Sequence, residues 1–195
     1  MLAFLIRIAP HLGMAGVTSG LGYYLGRWVP GAGRVYLMGV TWGLLIGLYI
    51  LEEEPGWNVA LLLGFALAAG ALLEGVNVEV VHGKVWRTLV FCLGLSFVGG
   101  AFSGPIARRA GIYLFPLAIL YLLGWVLLTI FPLPGPWMSW WALLGLLLFL
   151  LIGVSTISGG KIAGGEGSPI SPASDLFVVG FNLFWLAAVF WGTLA

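Results

Sequence analysis

The sequence predicts an all-α integral membrane protein, a bundle of about seven transmembrane helices, and three observations carry that prediction. First, 61% of the 195 residues are apolar and only 8% are charged, against roughly 45–50% and about 25% in ordinary soluble domains. Eight Lys+Arg and seven Asp+Glu are too few to cover a soluble globule of this length. Second, the apolar residues fall into runs long enough to cross a hydrocarbon layer of about 30 Å, which takes roughly 20 residues of helix. Third, tryptophans gather at the ends of those runs, where an indole keeps its ring in the acyl boundary and its N–H among the headgroups. Lipid is therefore the main solvent of this chain.

Charges, Pro/Gly clusters and tryptophans divide the chain into seven spans. The first runs from Leu2 to Leu25, before Arg27 and Trp28, and carries Pro10, where a bend is expected. The second, Val35 to Leu51, holds Gly39, Gly43 and Gly47 at GxxxGxxxG spacing and stops at Glu52, Glu53 and Glu54. The third, Trp57 to Leu73, opens on a tryptophan and closes at Glu74. The fourth, Val85 to Phe102, opens beside Lys84, Trp86 and Arg87. The fifth, Ile112 to Phe131, follows Arg108 and Arg109 and ends at Pro132. The sixth, Trp137 to Thr156, begins with Trp137, Trp140 and Trp141. The seventh, Leu176 to Leu194, follows Asp175. The connectors are short, so residues 1–195 read as a single transmembrane domain with no room for a soluble one.

The remaining composition narrows the function classes. A net charge of +1 leaves no basic excess to neutralise phosphates, so no nucleic-acid partner is expected. Cys92 is the single cysteine, which excludes an intrachain disulfide and any cysteine-based metal cluster. No cleavable leader is expected, because Arg7 interrupts the first apolar run and no basic start precedes it. Four cations fall on each side of the bilayer in either orientation, Arg7, Arg108, Arg109 and Lys161 against Arg27, Arg34, Lys84 and Arg87, so the positive-inside rule is tied. The 31 glycines suit close helix approach in lipid. Gly16 with Gly20, Gly22 with Gly26, and Gly100 with Gly104 repeat the spacing of the second span. They read as contacts inside one bundle, with a homodimer interface or a membrane-protein partner as the alternative.

Polar groups at membrane depth cost several kcal/mol on the order of insertion scales, so each is a candidate site. Arg7, His11 and Thr18 share one face of the first span. They form either a snorkelling arginine above a packed histidine or a pH-sensitive polar track, since histidine titrates near neutrality. Glu52, Glu53 and Glu54 are a solvated cap or a weak site for a hard cation. Glu74 and Glu79, near His82, Lys84 and Arg87, read as a self-neutralising loop. Arg108 and Arg109 form a basic hinge between spans. Lys161 and Glu166 lie in the Gly/Ser/Pro-rich stretch from Ser158 to Pro172, the longest connector, where a re-entrant path is compatible with the composition. Asp175 is placed to cap the last helix, and Asn182 lies two turns deeper on its face.

No catalytic template matches. There is no H-E-x-x-H, P-loop or His/Cys cluster, and the Gly100-Ala-Phe-Ser103-Gly104 stretch lacks the downstream histidine that a serine–histidine dyad of the rhomboid type needs. No enzyme activity and no cofactor are expected, and the identity of any bound metal is open.

Two stretches resemble the Bax inhibitor family of transmembrane proteins. The first runs from Val85-Trp-Arg-Thr-Leu through Phe102-Ser-Gly-Pro-Ile-Ala-Arg108-Arg109 to Gly111-Ile-Tyr-Leu-Phe-Pro-Leu. It is similar to the family's helix, short basic hinge and following apolar helix. The second is Leu151-Ile-Gly-Val-Ser-Thr-Ile-Ser158-Gly-Gly-Lys161-Ile162-Ala-Gly-Gly165, followed by Leu176-Phe-Val-Val-Gly-Phe-Asn182-Leu-Phe184. Together they cover about half of the chain. The resemblance implies seven spans and a pH-influenced leak or channel for a small cation of the calcium type. In the family that behaviour is attributed to two membrane-embedded aspartates, which fall here on Ser158 and Val179. Asn182 matches the family asparagine and Lys161 the basic residue after the first aspartate, while Asp175 stands one turn before the second position. The resemblance thus nominates Arg7, His11, Ser158, Asp175 and Asn182 as a polar track or pore without the aspartate dyad. Short loops suggest a bacterial inner membrane. A protein that conducts nothing and binds or stabilises a membrane partner is the alternative.

Overall fold

The computed structural model describes residues 2–51, 55–74, 82–103, 105–131, 134–162 and 169–194. They form seven α-helices: α1 (Leu2–Gly26), α2 (Gly31–Ile50), α3 (Pro55–Leu73), α4 (His82–Phe102), α5 (Pro105–Ile130), α6 (Gly135–Ile162) and α7 (Ile170–Leu194). No strand occurs among the described residues. Six of the helices are long and apolar enough to cross a membrane; in α5 the apolar stretch is the shorter Arg109–Trp125. The fold is therefore all-helical and of membrane type.

Several helices begin earlier than charge and apolarity predict, and proline gives the reason. Its fixed φ suits the first helical turn, where a missing N–H costs nothing. Pro30 stands in extended conformation (φ −63°, ψ 156°) immediately before α2. Pro55 and Pro105 open α3 and α5. Arg34, Arg108 and Arg109 consequently lie within helices and not in connectors. At the other end, α6 runs through Ser158 to Ile162, so the start of the expected Gly/Ser/Pro connector is helical. Pro10 lies inside α1, which remains continuous through it.

The chain forms two compact units, Leu2–Asn77 with Gly165–Phe177, and Val78–Gly164 with Val178–Ala195. In the first, α1 and α3 pack through glycine. Gly22 lies against the Leu67 backbone, Gly26 against the Ala71 backbone, and Gly70 against the Ser19 backbone. The steps from Gly22 to Gly26 and from Leu67 to Ala71 advance together, so the two helices run parallel. α2 packs antiparallel on α3, with Gly47 facing Leu61 and Gly64 facing Leu44. Phe65 of α3 meets the Phe177 ring edge to face at 6.1 Å.

In the second unit α4 and α6 run parallel, with Gly99 against Val154 and Gly100 against Ile157. α5 runs antiparallel to α6: Gly111 faces Ser155, Gly124 faces the Trp141 ring, and Gly145 faces the Tyr121 phenol. The carboxy-terminal part of α7 is fixed to α6 by Ser139 Oγ and Thr193 Oγ1, 2.6 Å apart, and to α4 by Trp191 Nε1 donating to Thr88 Oγ1 at 3.0 Å. Hydroxyl and indole groups thus supply the directional contacts that apolar packing in lipid lacks.

The glycine expectation divides sharply. Gly22, Gly26, Gly47, Gly70, Gly99 and Gly100 make helix contacts, whereas a Cβ at Gly16, Gly20, Gly39 or Gly43 would meet nothing within 4 Å. Of the GxxxGxxxG stripe of α2, only Gly47 meets a neighbour among the described residues. Spacing reveals that a small face exists; the rotation of the helix about its axis decides whether a neighbour occupies it.

Candidate polar seam

The nominated polar residues fall in both units. Arg7, His11 and Asp175 belong to the first, Ser158 and Asn182 to the second. Arg7 is exposed on α1. His11, one turn on, is partly covered, and its Nδ1 is buried without a hydrogen-bond partner. Thr18 does not extend this face as a polar track, because its Oγ1 donates to the Met14 carbonyl of its own helix at 2.8 Å. Asp175 is not the cap of the last helix. α7 starts at Ile170, where the Ala173 N–H reaches the Pro169 carbonyl at 3.3 Å, so Asp175 stands in its second turn, half-buried.

The second unit holds a continuous set of small polar side chains that the sequence does not advertise. Ser96 of α4 is 1% exposed and donates Oγ to the Leu150 carbonyl of α6 at 3.2 Å. One heptad later, Ser103 Oγ contacts the Gly100 carbonyl at 3.4 Å. Ser158, fully buried, places Oγ 3.5 Å from the Ser103 carbonyl. Ser155 is also buried and lies where Gly111 of α5 leaves room. The seam between α4 and α6 is therefore lined by hydroxyls at Ser96 and Ser158, within helices apolar enough to span a membrane, while Ser155 faces α5.

The two positions at which the resemblance places the family aspartates are buried. Ser158 is fully buried, and Val179 is 1% exposed and packs toward Gly153. Asn182, buried in the same unit, donates Nδ2 to the Val178 carbonyl one turn back at 2.8 Å. That bond leaves the amide oxygen as its acceptor for other groups. Among the described residues of this unit there is no Asp or Glu side chain, while Lys84, Arg87, Arg108, Arg109 and Lys161 all belong to it. Ser103 and His82 stand at opposite ends of α4, about 30 Å apart at 1.5 Å per residue. No group of three His, Cys, Asp or Glu side chains that could hold a metal occurs among the described residues. Glu52, Glu53, Glu54, Glu79 and Glu166 lie outside the described residues, so the acidic cap and much of the predicted loop network are not placed.

Two pairings were missed by the sequence reading. Arg34 of α2 joins Glu74 at the end of α3, whereas Glu74 was expected to pair within its own loop. Tyr121 of α5 stacks on Trp141 of α6, with centroids 5.1 Å apart, and donates its hydroxyl to the Trp141 carbonyl at 2.9 Å. Both join residues on different helices, and no local spacing encodes them. The serine seam had a faint signal, in that Ser96 and Ser103 lie two helical turns apart on one face.

Compared with protein-family models and with curated proteins, the chain matches none.

Proposed function

We propose that this membrane protein is Bax-inhibitor-like and acts as a leak for a small cation along the α4–α6 hydroxyl seam. The observation that supports this reading is the buried pair of Ser96 and Ser158, with Asn182 in the same unit. Side-chain hydroxyls and backbone carbonyls are the neutral oxygen ligands that replace part of a cation's hydration in narrow pores. The Ser96 and Ser158 hydroxyls each donate to a carbonyl, so conduction requires the helices to separate and hand those oxygens to an ion. Because serine and valine stand where the family has aspartates, the seam contributes no proton-sensing carboxylate pair.

Flux of Ca²⁺, K⁺ and H⁺ through the purified chain in proteoliposomes, from mildly acidic to mildly alkaline pH, tests this reading. Flux above that of empty liposomes, reduced by Ser96→Val and Ser158→Val, is the expected result. No flux at any pH, from protein shown to be folded, removes it.

A second reading has its own observation. Gly16, Gly20, Gly39 and Gly43 present backbone with nothing within 4 Å among the described residues, as a non-conducting protein that binds a membrane partner would. Crosslinking in native membranes followed by mass spectrometry distinguishes the two: a partner attached at α1 or α2, together with no flux, selects the second.

A further inference from the structure

We infer that one end of the α4–α6–α7 unit binds the headgroup of an anionic phospholipid through Lys84 and Arg87. Lys84 and Arg87, three residues apart near the start of α4, share a helical face and are both exposed. Lys84 is held in place: its Nζ lies 5.0 Å from the centroid of the Trp191 ring, and Trp191 is itself fixed by its N–H bond to Thr88 Oγ1. Trp86 packs against Phe184 at 5.4 Å, which anchors the intervening turn to α7. The ammonium is therefore presented at a fixed place beside an indole, where a freely snorkelling lysine would spread its charge over many positions.

Depth and sign identify the partner. The Ser139–Thr193 contact ties the start of α6 to the same end of α7, which brings the exposed Trp137 and Trp140 to this end of the unit. Exposed tryptophans mark the headgroup level of a bilayer. α4 and α6 both begin here, so their amino-terminal dipole ends add to the positive potential. Among the described residues of the unit no carboxylate opposes that potential. Two cations at headgroup depth, flanked by indoles, complement a lipid whose headgroup keeps a net negative charge. A zwitterionic headgroup, with its own choline beside the phosphate, gains much less there.

The test uses the full chain purified in a neutral detergent and exchanged into mixed micelles of phosphatidylglycerol and phosphatidylcholine. Lipid retained by the protein is read by native mass spectrometry. The expected result is preferential retention of phosphatidylglycerol, lost by about fivefold for each cation removed and about thirtyfold in the Lys84→Gln/Arg87→Gln double variant. Arg109→Gln, at the far end of the unit, leaves the preference unchanged. In the unmodified chain, added salt weakens the preference, a readout that stands even if the double variant does not fold. Equal retention of the two lipids, a preference untouched by salt, or a double variant that retains phosphatidylglycerol as before overturns the proposal. Displacement of the lipid by millimolar inorganic phosphate overturns it too, in favour of a site for the free anion.

Discussion

Arg34 and Glu74 form an ion pair in which the guanidinium Nη2 lies 2.5 Å from the carboxylate Oε2, across 40 residues of sequence. The pair joins the first turn of α2 to the end of α3 and fixes the register of two antiparallel helices where they emerge from lipid. Both side chains are partly exposed, at 37% and 23%, so solvent screens much of the attraction. Glu74→Gln should therefore destabilise the detergent-solubilised protein by only about 0–1 kcal/mol. Thermal unfolding at low and high salt checks this, since salt should erase most of the difference between the two proteins.

Substitution at glycine should separate packed from open faces. A Cβ at Gly70 runs into the backbone of Ser19, which cannot rotate away. Gly70→Ala is expected to cost about 1–3 kcal/mol or more. At Gly39 or Gly43 the added methyl meets nothing in the chain, and alanine should be neutral or stabilise the helix by about 0.5–1 kcal/mol. Unfolding temperatures of the three variants, measured side by side in one detergent, decide it. Should Gly39→Ala prove as damaging as Gly70→Ala, α2 packs in solution against something other than this chain's own helices.

Tyr121 and Gly145 should be energetically coupled. The Tyr121 phenol occupies the space where a Cβ at position 145 would stand. Tyr121→Phe alone loses the bond to the Trp141 carbonyl, worth roughly 1 kcal/mol, and Gly145→Ala alone clashes. Combined, they should cost less than the sum of the two single changes, because removing the hydroxyl takes away the nearest of the three Tyr121 atoms that the new methyl meets, while Cζ and Cε1 remain. A double-mutant cycle on unfolding free energy measures that coupling, with about 0.5–3 kcal/mol expected for residues in contact.

Returning a carboxylate to the seam should be costly and pH-dependent. Ser158 is fully buried, so Ser158→Asp places an acid where the only partners on hand are those of a hydroxyl. As the acid ionises with rising pH, a charge forms at a fully buried position, and stability should fall; at low pH the neutral acid resembles the hydroxyl it replaces. Unfolding temperature against pH should thus slope downward for the variant relative to the unmodified chain. Parallel curves would mean that water or a cation already reaches position 158.

Charge and apolarity placed the seven helices to within a few residues at most of their ends, six of them long and apolar enough to cross a membrane, and the differences are systematic. They occur where proline extends a helix amino-terminally, at Pro30, Pro55 and Pro105, and where a glycine- and serine-rich stretch remains helical, at Ser158 to Ile162. In lipid an unsatisfied backbone group is so expensive that helix persists through residues that would end it in water. The nominated polar residues were legible one at a time. Their surroundings were not: Thr18 turns back on its own carbonyl, and Asp175 sits past the cap position.

Membrane residence and the approximate spans follow from the sequence alone, because transfer into lipid is a sum over local residues and needs no knowledge of neighbours. The presence of small faces was equally plain. Which of those faces carries a neighbour was decided by tertiary structure. So were the parallel course of α1 beside α3, the Arg34–Glu74 pair and the meeting of Ser96, Ser103 and Ser158 along one seam. Such contacts depend on how each helix is rotated about its axis and on which helices adjoin. That rotation is fixed by the joint packing of residues far apart in the chain, and no local period of the sequence contains it.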